Sequence, residues 1–235
     1  MEARSAFRFT LPGKTLLLGF ILAAFSVPAL CDDWNYQETH RAARDFVTGG
    51  SVHVHMTVGR VRIRRGDSDK INLEYTIKSR REKNVKDARV DFEVHGKDAT
   101  LEFHSPSSGN TSFEVTIEVP QNTNLDVHEK VGDLIVENSI EGDKYLDLGV
   151  GDIRVANSPT GYRLINASSG IGDVNGASYG QASGWLGKSL RYHGEGKYEL
   201  RAHVGVGGGR RTTLTRARRR WRGGRGSPSP GGRVS

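Results

Sequence analysis

The chain of 235 residues contains a single cysteine, Cys31, so it cannot form an intramolecular disulfide. After residue 31 it has no apolar run near the roughly 20 residues that a membrane-spanning helix needs. It also has no Ser-His-Asp ordering, paired-carboxylate motif or metal-ligand cluster that stands out, which argues against most enzyme classes. What the sequence does contain is a short glycine–aspartate motif that recurs.

A motif of the form apolar-Gly-Asp-apolar occurs three times. The copies are Val131–Leu134, Val150–Ile153 and Ile171–Val174, and their glycines lie 19 and 21 residues apart. A unit of about 20 residues is typical of solenoids, in which each copy buries its apolar face only against its neighbours. The repeat therefore predicts an all-β, single-domain stack of short strands that resembles a β-solenoid or β-helix.

Each motif falls where the alternation of apolar residues changes parity. Before the glycine, Val127 and Val131 occupy odd positions, whereas Leu134 and Val136 after it occupy even ones. Because side chains in a strand alternate between faces, this shift requires a bulge or a corner, with glycine for the bend and aspartate to hydrogen-bond backbone amides. Two related motifs indicate further corners: Val58–Val61, with arginine in place of aspartate, and Val206-Gly207.

Residues 1–31 have the pattern of a secretory signal peptide. A basic start precedes the apolar segment Leu16–Phe25, which is too short to span a membrane. Cleavage after Ala29 or after Cys31 fits this pattern. Cys31 also raises the possibility of lipid attachment, but Leu30 argues against it because lipoprotein signals use a small residue at that position. The sequence thus predicts export to the periplasm, the outer cell surface or the medium.

The formal net charge of +7 comes from the end of the chain. Residues 205–235 hold nine arginines and no lysine or acidic residue, and without them the chain has 25 basic and 27 acidic residues. Removing residues 1–31 as well leaves 22 basic and 26 acidic residues. The folded body is therefore mildly acidic, so we do not infer the nucleic-acid binding that a pI near 9.6 suggests.

Residues 208–235 form a tail that breaks the repeat in the middle of a motif. After Gly207 the spacing requires aspartate at 208 and apolar residues at 209 and 211, but the chain has Gly208, Gly209 and Arg211. The Arg- and Gly-rich composition predicts disorder, because almost nothing can be buried to offset the entropy of ordering. One interpretation is a loss of reading frame near codon 207. The alternative is a genuine basic arm that binds an anionic polymer or nucleic acid.

Between these ends, residues 45–207 form one domain of predicted strands. Apolar and polar residues alternate with a period of two in segments such as Val52–Val58, Ile71–Ile77 and Phe113–Val119. Val90–Val94 is expected to pair with Leu101–Phe103 across a short turn. Residues 32–44 are interpreted as a polar leader, and Lys78–Lys86 is the one segment that fits a short helix or a long loop.

Three stretches carry a family likeness: Glu129–Val136, Leu148–Val155 and Ser189–Tyr198, the last of which leads to Val204–Gly207. In their order and spacing they resemble the bacterial putative-adhesin domains, a domain-of-unknown-function family of envelope proteins, over roughly residues 45–207. The resemblance implies an all-β, solenoid-like fold, an exported location and no known catalytic residues. Members usually close with Gly-Asp and one more strand, and this chain departs from that pattern after Gly207.

Two groups of side chains have the spacing of metal ligands. His53 and His55 lie two apart on one face of a strand and can converge on Zn²⁺; the alternative is a solvent-facing pair opposite the core residues Val52 and Val54. Asp67-Ser68-Asp69 can form part of a Ca²⁺ loop, but a turn between two strands explains it better. The sequence places no further ligand near the histidines, so we predict no metal, cofactor or catalytic residue.

The remaining motifs have structural explanations. The Gly-Asp repeats lack the period of about nine residues found in Ca²⁺-binding β-rolls, and Gly205–Gly209 precedes no predicted helix, which excludes a phosphate loop. Asn110 and Asn166 match glycosylation acceptors, which mean little in a bacterial chain. A basic stripe, which suits an anionic polysaccharide but is more often a solvated face or a protected edge, is formed by Arg60, Arg62, Arg64 and Arg65.

The predicted function is that of an exported, non-catalytic cell-envelope protein whose solenoid surface binds an extended partner, such as an envelope polysaccharide or a protein surface. Two alternatives stay open: a periplasmic regulatory or sensory partner of a membrane protein, and a β-helical enzyme that acts on polysaccharide. An exposed apolar or aromatic stripe would favour binding. A cluster of Asp, Glu, Arg and His on one face would favour the enzyme.

Overall fold

The structure is a computed structural model that describes residues 34–106, 109–137, 140–157, 159–176, 178–207 and 212–216. These residues are almost entirely strands, which confirms the predicted all-β class. In chain order the elements are β1 (Tyr36–Asp45), β2 (Ser51–Arg65), β3 (Lys70–Ser79), α1 (Glu82–Asp87), β4 (Arg89–His95), β5 (Asp98–His104), β6 (Thr111–Val119), β7 (Asn124–Val136), β8 (Lys144–Asn157), the 3₁₀ turn Pro159–Gly161, β9 (Tyr162–Ile171), β10 (Val174–Asn175), β11 (Ser189–His193), β12 (Tyr198–Gly207) and β13 (Thr212–Arg216).

A bend divides β2 between two layers of sheet. Its first part, from Ser51 to Met56, pairs in parallel with β5, whereas the part from Gly59 to Arg65 pairs in parallel with β6. On its other side, β7 follows β2 through the bend without a change of register. The change of partner from β5 to β6 therefore marks the line along which the sheet folds over.

The bend recurs in β7 and β8, so the two layers are built from opposite halves of the same strands. The first layer contains β4, β5, the first halves of β2, β7 and β8, and then β12, β9 and β11. The second contains β1, β3, β6, the second halves of β2, β7 and β8, and then β13 and β10. The predicted corner of the coil is this bend.

The two layers enclose one apolar core. Phe103 of the first layer contacts Phe113 and Tyr75 of the second, with ring centroids 5.4 and 6.2 Å away. At the other end of the layers, Gly176 lies against both Leu190 of the first layer and Leu214 of the second. Buried side chains of both layers belong to one continuous cluster, and their removal from water is the main force that holds the layers together.

Glycine is required at the bend, as Gly151 shows. Its φ is +138°, a value that residues with a side chain rarely adopt, and a Cβ atom there would lie only 1.7 Å from the carbonyl oxygen of Gly132. The neighbouring coil therefore approaches too closely for any side chain. The prediction that glycine provides the corner is confirmed, with close stacking as a second reason for it.

The predicted parity shift is present, but the apolar residue directly before each glycine is exposed and not in the core as predicted. The inward residues of β7 run through Leu125, Val127 and Glu129 and resume at Leu134. Val131, expected in the core, is 44% exposed, and its equivalents Val150 and Ile171 are 43% and 57% exposed. At the bend the strands leave the space between the two layers, so a side chain of the correct parity has no opposing layer to pack against.

The coils do not stack in chain order. β12 lies between β8 and β9 and pairs in parallel with both of them. Gly207 therefore sits between Gly151 and Gly172 and not at the end of the stack. The spacing of about 20 residues indicates coils, but it does not determine which coils become neighbours.

Both predicted domain boundaries differ from the structure. The polar leader contains β1, which pairs with β3 in antiparallel fashion; β1 is an edge strand without a fully buried residue, so its sequence shows no apolar alternation. The predicted tail contains β13, which pairs with β8 and buries Leu214. Gly207 pairs with Gly151, whereas Thr213 pairs with Arg154. The chain therefore has three more residues between Gly207 and Thr213 than β8 has between their partners, and β13 does not begin where the spacing of the motif predicts.

Other local predictions are confirmed. The segment Lys78–Lys86 contributes the end of β3 and then the short helix α1, and β4 pairs with β5 as the expected hairpin. Among the described residues, no helix has the length and apolar character needed to cross a membrane. The signal-peptide segment 1–31 and the frame-loss hypothesis for the tail concern residues that lie largely outside the described ranges, and both stay predictions.

Candidate functional site

The outer surface of the first layer carries a concentration of histidine side chains. They stand on β2, β7 and β12 because polar residues alternate there with the buried residues of the core. One row across four parallel strands consists of His55, His128, Asp147 and His203. The next row consists of His53, Asp126, Tyr145 and Arg201. We call these eight residues the histidine face.

His128 lies at the centre of the histidine face. Its ring stacks on that of His55, with centroids 5.3 Å apart and an angle of 4° between the planes, and it also lies 5.4 Å from the ring of Tyr145. Its Nε2 is 3.0 Å from Oδ1 of Asp126, and its Nδ1 is 3.7 Å from Oδ2 of Asp147. Two carboxylates and two rings thus fix the orientation of a partly exposed imidazole.

The two histidines with metal-ligand spacing do not converge. His53 places Nδ1 at 3.1 Å from Oδ2 of Asp126, whereas His55 stacks on His128. They share one face opposite the buried residues Val52 and Val54, as the solvent-facing alternative describes. Each histidine belongs to a different contact of the histidine face.

Ser168, His203 and Asp147 occupy adjacent positions across three strands. Ser168 Oγ lies 2.9 Å from Nδ1 of His203, and Asp147 is the partner of His203 on the other side. The carboxylate of Asp147 contacts His128, however, and His203 is exposed on an open surface. A nucleophilic triad instead has an aspartate that is buried and holds the same histidine as the serine. These residues form a row of surface polar groups.

Three depressions lie on or beside the histidine face. The first has a volume of about 390 Å³ and lies between His55 and Glu102 of the hairpin. The second, of about 230 Å³, lies beside Tyr145 and Arg201. The third, of about 290 Å³, adjoins it between Arg201 and Arg191. Together they give the first layer a polar surface with repeated recesses.

Three of the four arginines in the predicted basic stripe of β2, namely Arg60, Arg62 and Arg64, pair with acidic residues. Arg60 donates hydrogen bonds from Nε and Nη2 to Oδ2 of Asp133, at 3.2 and 3.0 Å. Arg64 pairs with Glu118 at 2.7 Å. Because β2 lies inside the sheet, the stripe protects no edge, and the solvated-face interpretation is the one that fits. Asp133 was expected to hydrogen-bond backbone amides. It instead accepts hydrogen bonds from Arg60, the arginine that replaces aspartate in the neighbouring motif.

A carboxyl group is buried beneath the bend. Glu129 is 3% exposed and stands in an inward row between Met56 and Leu148. Neither of its carboxyl oxygens has a hydrogen-bond partner among the described residues. Burial, with a smaller contribution from the charge of Asp133, raises the pKa of Glu129 to about 8. Its Oε1 fills the space that a side chain at Gly132 would need.

A buried amine closes the turn before β8. Lys144 is 3% exposed, and its Nζ donates hydrogen bonds to the carbonyl oxygens of Ile140 at 2.8 Å and Gly142 at 3.2 Å, and to the hydroxyl of Tyr162. Burial lowers the pKa of Lys144 to about 8, although the nearby carboxylate of Asp143 opposes this effect. All of its partners are structural, so we assign Lys144 to stability.

A second exposed feature runs along the bend. We call it the apolar ridge; its members are successive partners across five strands, namely Val58, Val131, Val150, Val206 and Ile171. A turn beside Ile171 exposes Trp185 and Leu186 further, at 93% and 68%. An exposed apolar stripe was expected to indicate binding, and a cluster of Asp, Arg and His on one face was expected to indicate an enzyme. The apolar ridge is such a stripe and the histidine face is such a cluster, so both features are present.

The other residues singled out from sequence have structural positions. Asp67–Asp69 lies in the turn between β2 and β3, where Asp69 accepts a hydrogen bond from Thr48 at 3.0 Å. Gly205–Gly207 is part of β12, Asn110 precedes β6, and Asn166 lies within β9. Cys31, Gly208 and Gly209 lie outside the described residues.

Asp126, His128, Asp147 and His203 are not among the residues that the sequence predicted as functional. A signal for two of them was available, because β2 and β7 pair with a constant offset of 73 residues, which is also the separation of Gly59 and Gly132. Aligning the two motifs on their glycines would have placed His55 beside His128. The insertion of β12 gave no such signal.

The fold and the face define an all-β, solenoid-like domain with an extended polar surface. A sequence profile of the family Toastrack DUF4097 matches residues 52–182, more than half of the chain. The chain therefore belongs to this family, a domain of unknown function, and the predicted kinship with the putative-adhesin domains is confirmed.

Several solved structures are similar to the chain. A putative cell adhesion protein from Clostridium sporogenes is 16% identical with a TM-score of 0.47, covering 77% of this chain and 100% of that one. A putative adhesin from Bacteroides fragilis is 12% identical with a TM-score of 0.34, covering 77% and 97%. A putative adhesin from Parabacteroides merdae is 10% identical with a TM-score of 0.27, covering 78% and 97%. No curated protein matches the chain.

Proposed function

We propose that this protein is an exported, non-catalytic component of a bacterial cell envelope that binds an envelope polysaccharide along the histidine face. The observation that carries the proposal is the group of three depressions on and beside this polar surface, two of which share Arg201. The signal-peptide pattern of residues 1–31 supports the exported location.

The geometry of the histidine face suits a repetitive polymer. Neighbouring strands lie about 4.8 Å apart, so equivalent side chains recur at short, regular intervals across the coils. The face offers imidazole, carboxylate and guanidinium groups that can hydrogen-bond hydroxyls, and the ring of Tyr145, which is 46% exposed, offers a flat apolar surface for a sugar ring. A polymer that spans several depressions would gain affinity from several weak contacts.

The contacts and the exposure of the histidines favour binding over catalysis. His53 and His128 both face the carboxylate of Asp126, and His203 faces Ser168. These contacts hold the rings in place on an open surface, whereas general acid–base catalysis benefits from a water-excluded site that positions the reacting group. We therefore assign the histidine face to recognition.

A glycan array and co-sedimentation with isolated cell-wall polysaccharide test the proposal on the full chain. The double variant Tyr145→Ala and Arg201→Ala is expected to weaken binding at least tenfold. The matched control, Tyr36→Ala and Arg41→Ala, removes the same two residue types from exposed positions on β1 and is expected to bind as the wild type does. An absence of binding to every envelope polysaccharide, or equal losses in both double variants, would overturn the proposal.

The second candidate function is an enzyme that acts on polysaccharide, which the grouping of histidines and carboxylates on one face favours. It predicts new reducing ends when the protein is incubated with a polysaccharide, and their loss in the variant Asp126→Asn. Binding without release of reducing ends would exclude it for that polymer. The regulatory alternative instead predicts binding to a membrane protein with no affinity for the polymer.

A further inference from the structure

The β4–β5 hairpin places three potential metal ligands on one side. Asp91 and Glu102 are directly opposite each other in the antiparallel register. His104 lies two residues after Glu102 on the same strand, so its side chain leaves the same face. All three side chains are partly exposed.

The ligand atoms of this trio converge. Nε2 of His104 lies 3.0 Å from Oδ2 of Asp91 and 3.4 Å from Oε2 of Glu102. One potential ligand atom from each of the three residues lies within 4.8 Å of the other two. When a metal ion stands about 2.1 Å from each ligand atom, neighbouring ligand atoms are about 3.0–3.4 Å apart in octahedral or tetrahedral geometry. The two separations from Nε2 fall in this range.

We propose that Asp91, Glu102 and His104 bind a divalent transition-metal ion. One imidazole nitrogen and two carboxylate oxygens suit Zn²⁺, Mn²⁺ or Fe²⁺, whereas Ca²⁺ and Mg²⁺ prefer oxygen ligands alone. Three protein ligands leave positions for water or for an oxygen atom of a bound molecule. The site borders the first depression of the histidine face but does not depend on polysaccharide binding.

Arg89 makes the proposal distinguishable from an ordinary hydrogen-bonded cluster. Its Nη2 lies 3.2 Å from Oδ2 of Asp91, the same oxygen that His104 contacts. Its positive charge competes for this oxygen and repels a cation. Removing Arg89 is therefore expected to strengthen metal binding, although it would weaken a cluster whose only function is ion pairing.

The same hairpin provides a matched control. Nε2 of His95 lies 3.2 Å from Oε2 of Glu93, which gives one histidine and one carboxylate, with no second acidic residue within ion-pair distance in the described part of the chain. The change His95→Ala removes the same residue type from the same hairpin. A difference between His95→Ala and His104→Ala thus reports the three-ligand site.

The test is isothermal titration of Zn²⁺ into the full chain after removal of metals with a chelator. We expect one ion per chain, a loss of affinity of at least tenfold in His104→Ala and in Glu102→Gln, wild-type affinity in His95→Ala, and severalfold tighter binding in Arg89→Gln. X-ray absorption of the Zn²⁺ complex should show nitrogen and oxygen ligands without sulfur. Circular dichroism confirms that each variant is folded.

Three results would contradict the proposal. The first is the absence of Zn²⁺ binding by the folded wild-type chain. The second is the same stoichiometry and affinity in His104→Ala as in the wild type, because the ion would then be held elsewhere. Sulfur in the absorption spectrum would point to Cys31 and would likewise overturn it.

Discussion

The buried carboxyl of Glu129 makes the stability of this domain depend on pH. The side chain is 3% exposed and lies between Met56 and Leu148, where neither oxygen finds a hydrogen-bond partner among the described residues. An ionised carboxylate in such a place is strongly disfavoured relative to water. The perturbation is Glu129→Gln, which keeps the shape of the side chain and removes its titration.

The magnitude follows from the raised pKa. An unfolded chain releases the proton of Glu129 near pH 4.5, whereas the folded chain retains it until about pH 8. Ionisation of Glu129 therefore favours unfolding, so the contribution of this group to the free energy of unfolding is fully present below pH 4.5 and is lost as the pH rises to about 8. At about 1.4 kcal/mol per pH unit, the loss is about 3 kcal/mol at pH 7 and about 5 kcal/mol in total.

The assay is urea denaturation of the wild type and Glu129→Gln at intervals between pH 4 and 9. The variant lacks the carboxyl, so its stability relative to the wild type is expected to increase by about 1.4 kcal/mol per pH unit between about pH 5 and 8 and to level off outside this range. The buried amide adds a constant that does not alter this slope. The difference between the two proteins therefore isolates one group from all others that titrate.

The matched control is Glu137→Gln, the same chemical change at a partly exposed carboxylate that pairs with Arg62. It measures the effect of replacing a carboxylate by an amide on this protein's stability. A stability difference between the wild type and Glu129→Gln that stays constant from pH 5 to 8 would refute the reasoning. It would mean that water or a rearranged donor solvates the carboxyl in the folded state.

Three further predictions concern the coils. Gly151→Ala should lower the free energy of unfolding by at least about 2 kcal/mol in urea denaturation, because it adds a Cβ atom 1.7 Å from the oxygen of Gly132 at a φ of +138°; unchanged stability would contradict the close stacking. Burial lowers the pKa of Lys144 from 10.5 to about 8, so between these pH values the unfolded chain holds the proton and the folded chain does not. The free energy of unfolding of the wild type should therefore rise by about 3 kcal/mol from pH 8 to 10.5, and Lys144→Met should remove this rise. An unchanged rise in the variant would show that the amine is solvated. A double-mutant cycle of Arg60→Ala and Asp133→Ala should give a coupling near 0.5 kcal/mol that falls in high salt, because the pair is partly exposed, and a coupling insensitive to salt would contradict this.

Local sequence predicted the bend well because its causes are local. The parity shift between Val127 and Leu134 reflects two strand halves that bury opposite faces, and the glycine between them reflects a backbone that cannot carry a side chain. Both features are visible in a single repeat. This explains why the all-β class, the corner and the glycine requirement could be deduced without knowing the partners of any strand.

The order of the coils could not be predicted in this way. β12 pairs with β8 and β9, and no property of its own sequence distinguishes this position from the end of the stack. The position of β12 depends on its pairing with β8 and β9, which are distant from it along the chain. The strand that contains Leu214 could not be predicted from the motif either. Three extra residues follow Gly207, so this strand does not begin where the spacing of the motif predicts.

The histidine face and the metal site depend on register, which the sequence supplied only in part. His53 and His55 were recognised as a pair, but their contacts are with Asp126 and His128, which are 73 residues further along the chain. Functional groups in a parallel stack meet across strands, so spacing along one strand cannot show them. The hairpin trio is closer in sequence, but it needs the pairing of Asp91 with Glu102 to become visible.

Glu129 and Val131 show what the alternation pattern cannot decide. Both occupy odd positions of the same strand, yet the acid is buried and the valine is 44% exposed. Burial alone would favour the opposite arrangement, since a carboxylate is costly inside and an aliphatic side chain gains little outside. The exposed valine recurs as Val150 and Val206, whereas the inward neighbour of Glu129 on the next coil is Leu148. An aliphatic surface repeated in successive coils calls for an explanation common to all of them, while a buried acid found in one coil calls only for a local one. The exposed valines are therefore a regular feature of the bend, whereas the buried Glu129 belongs to one coil and is better understood through stability.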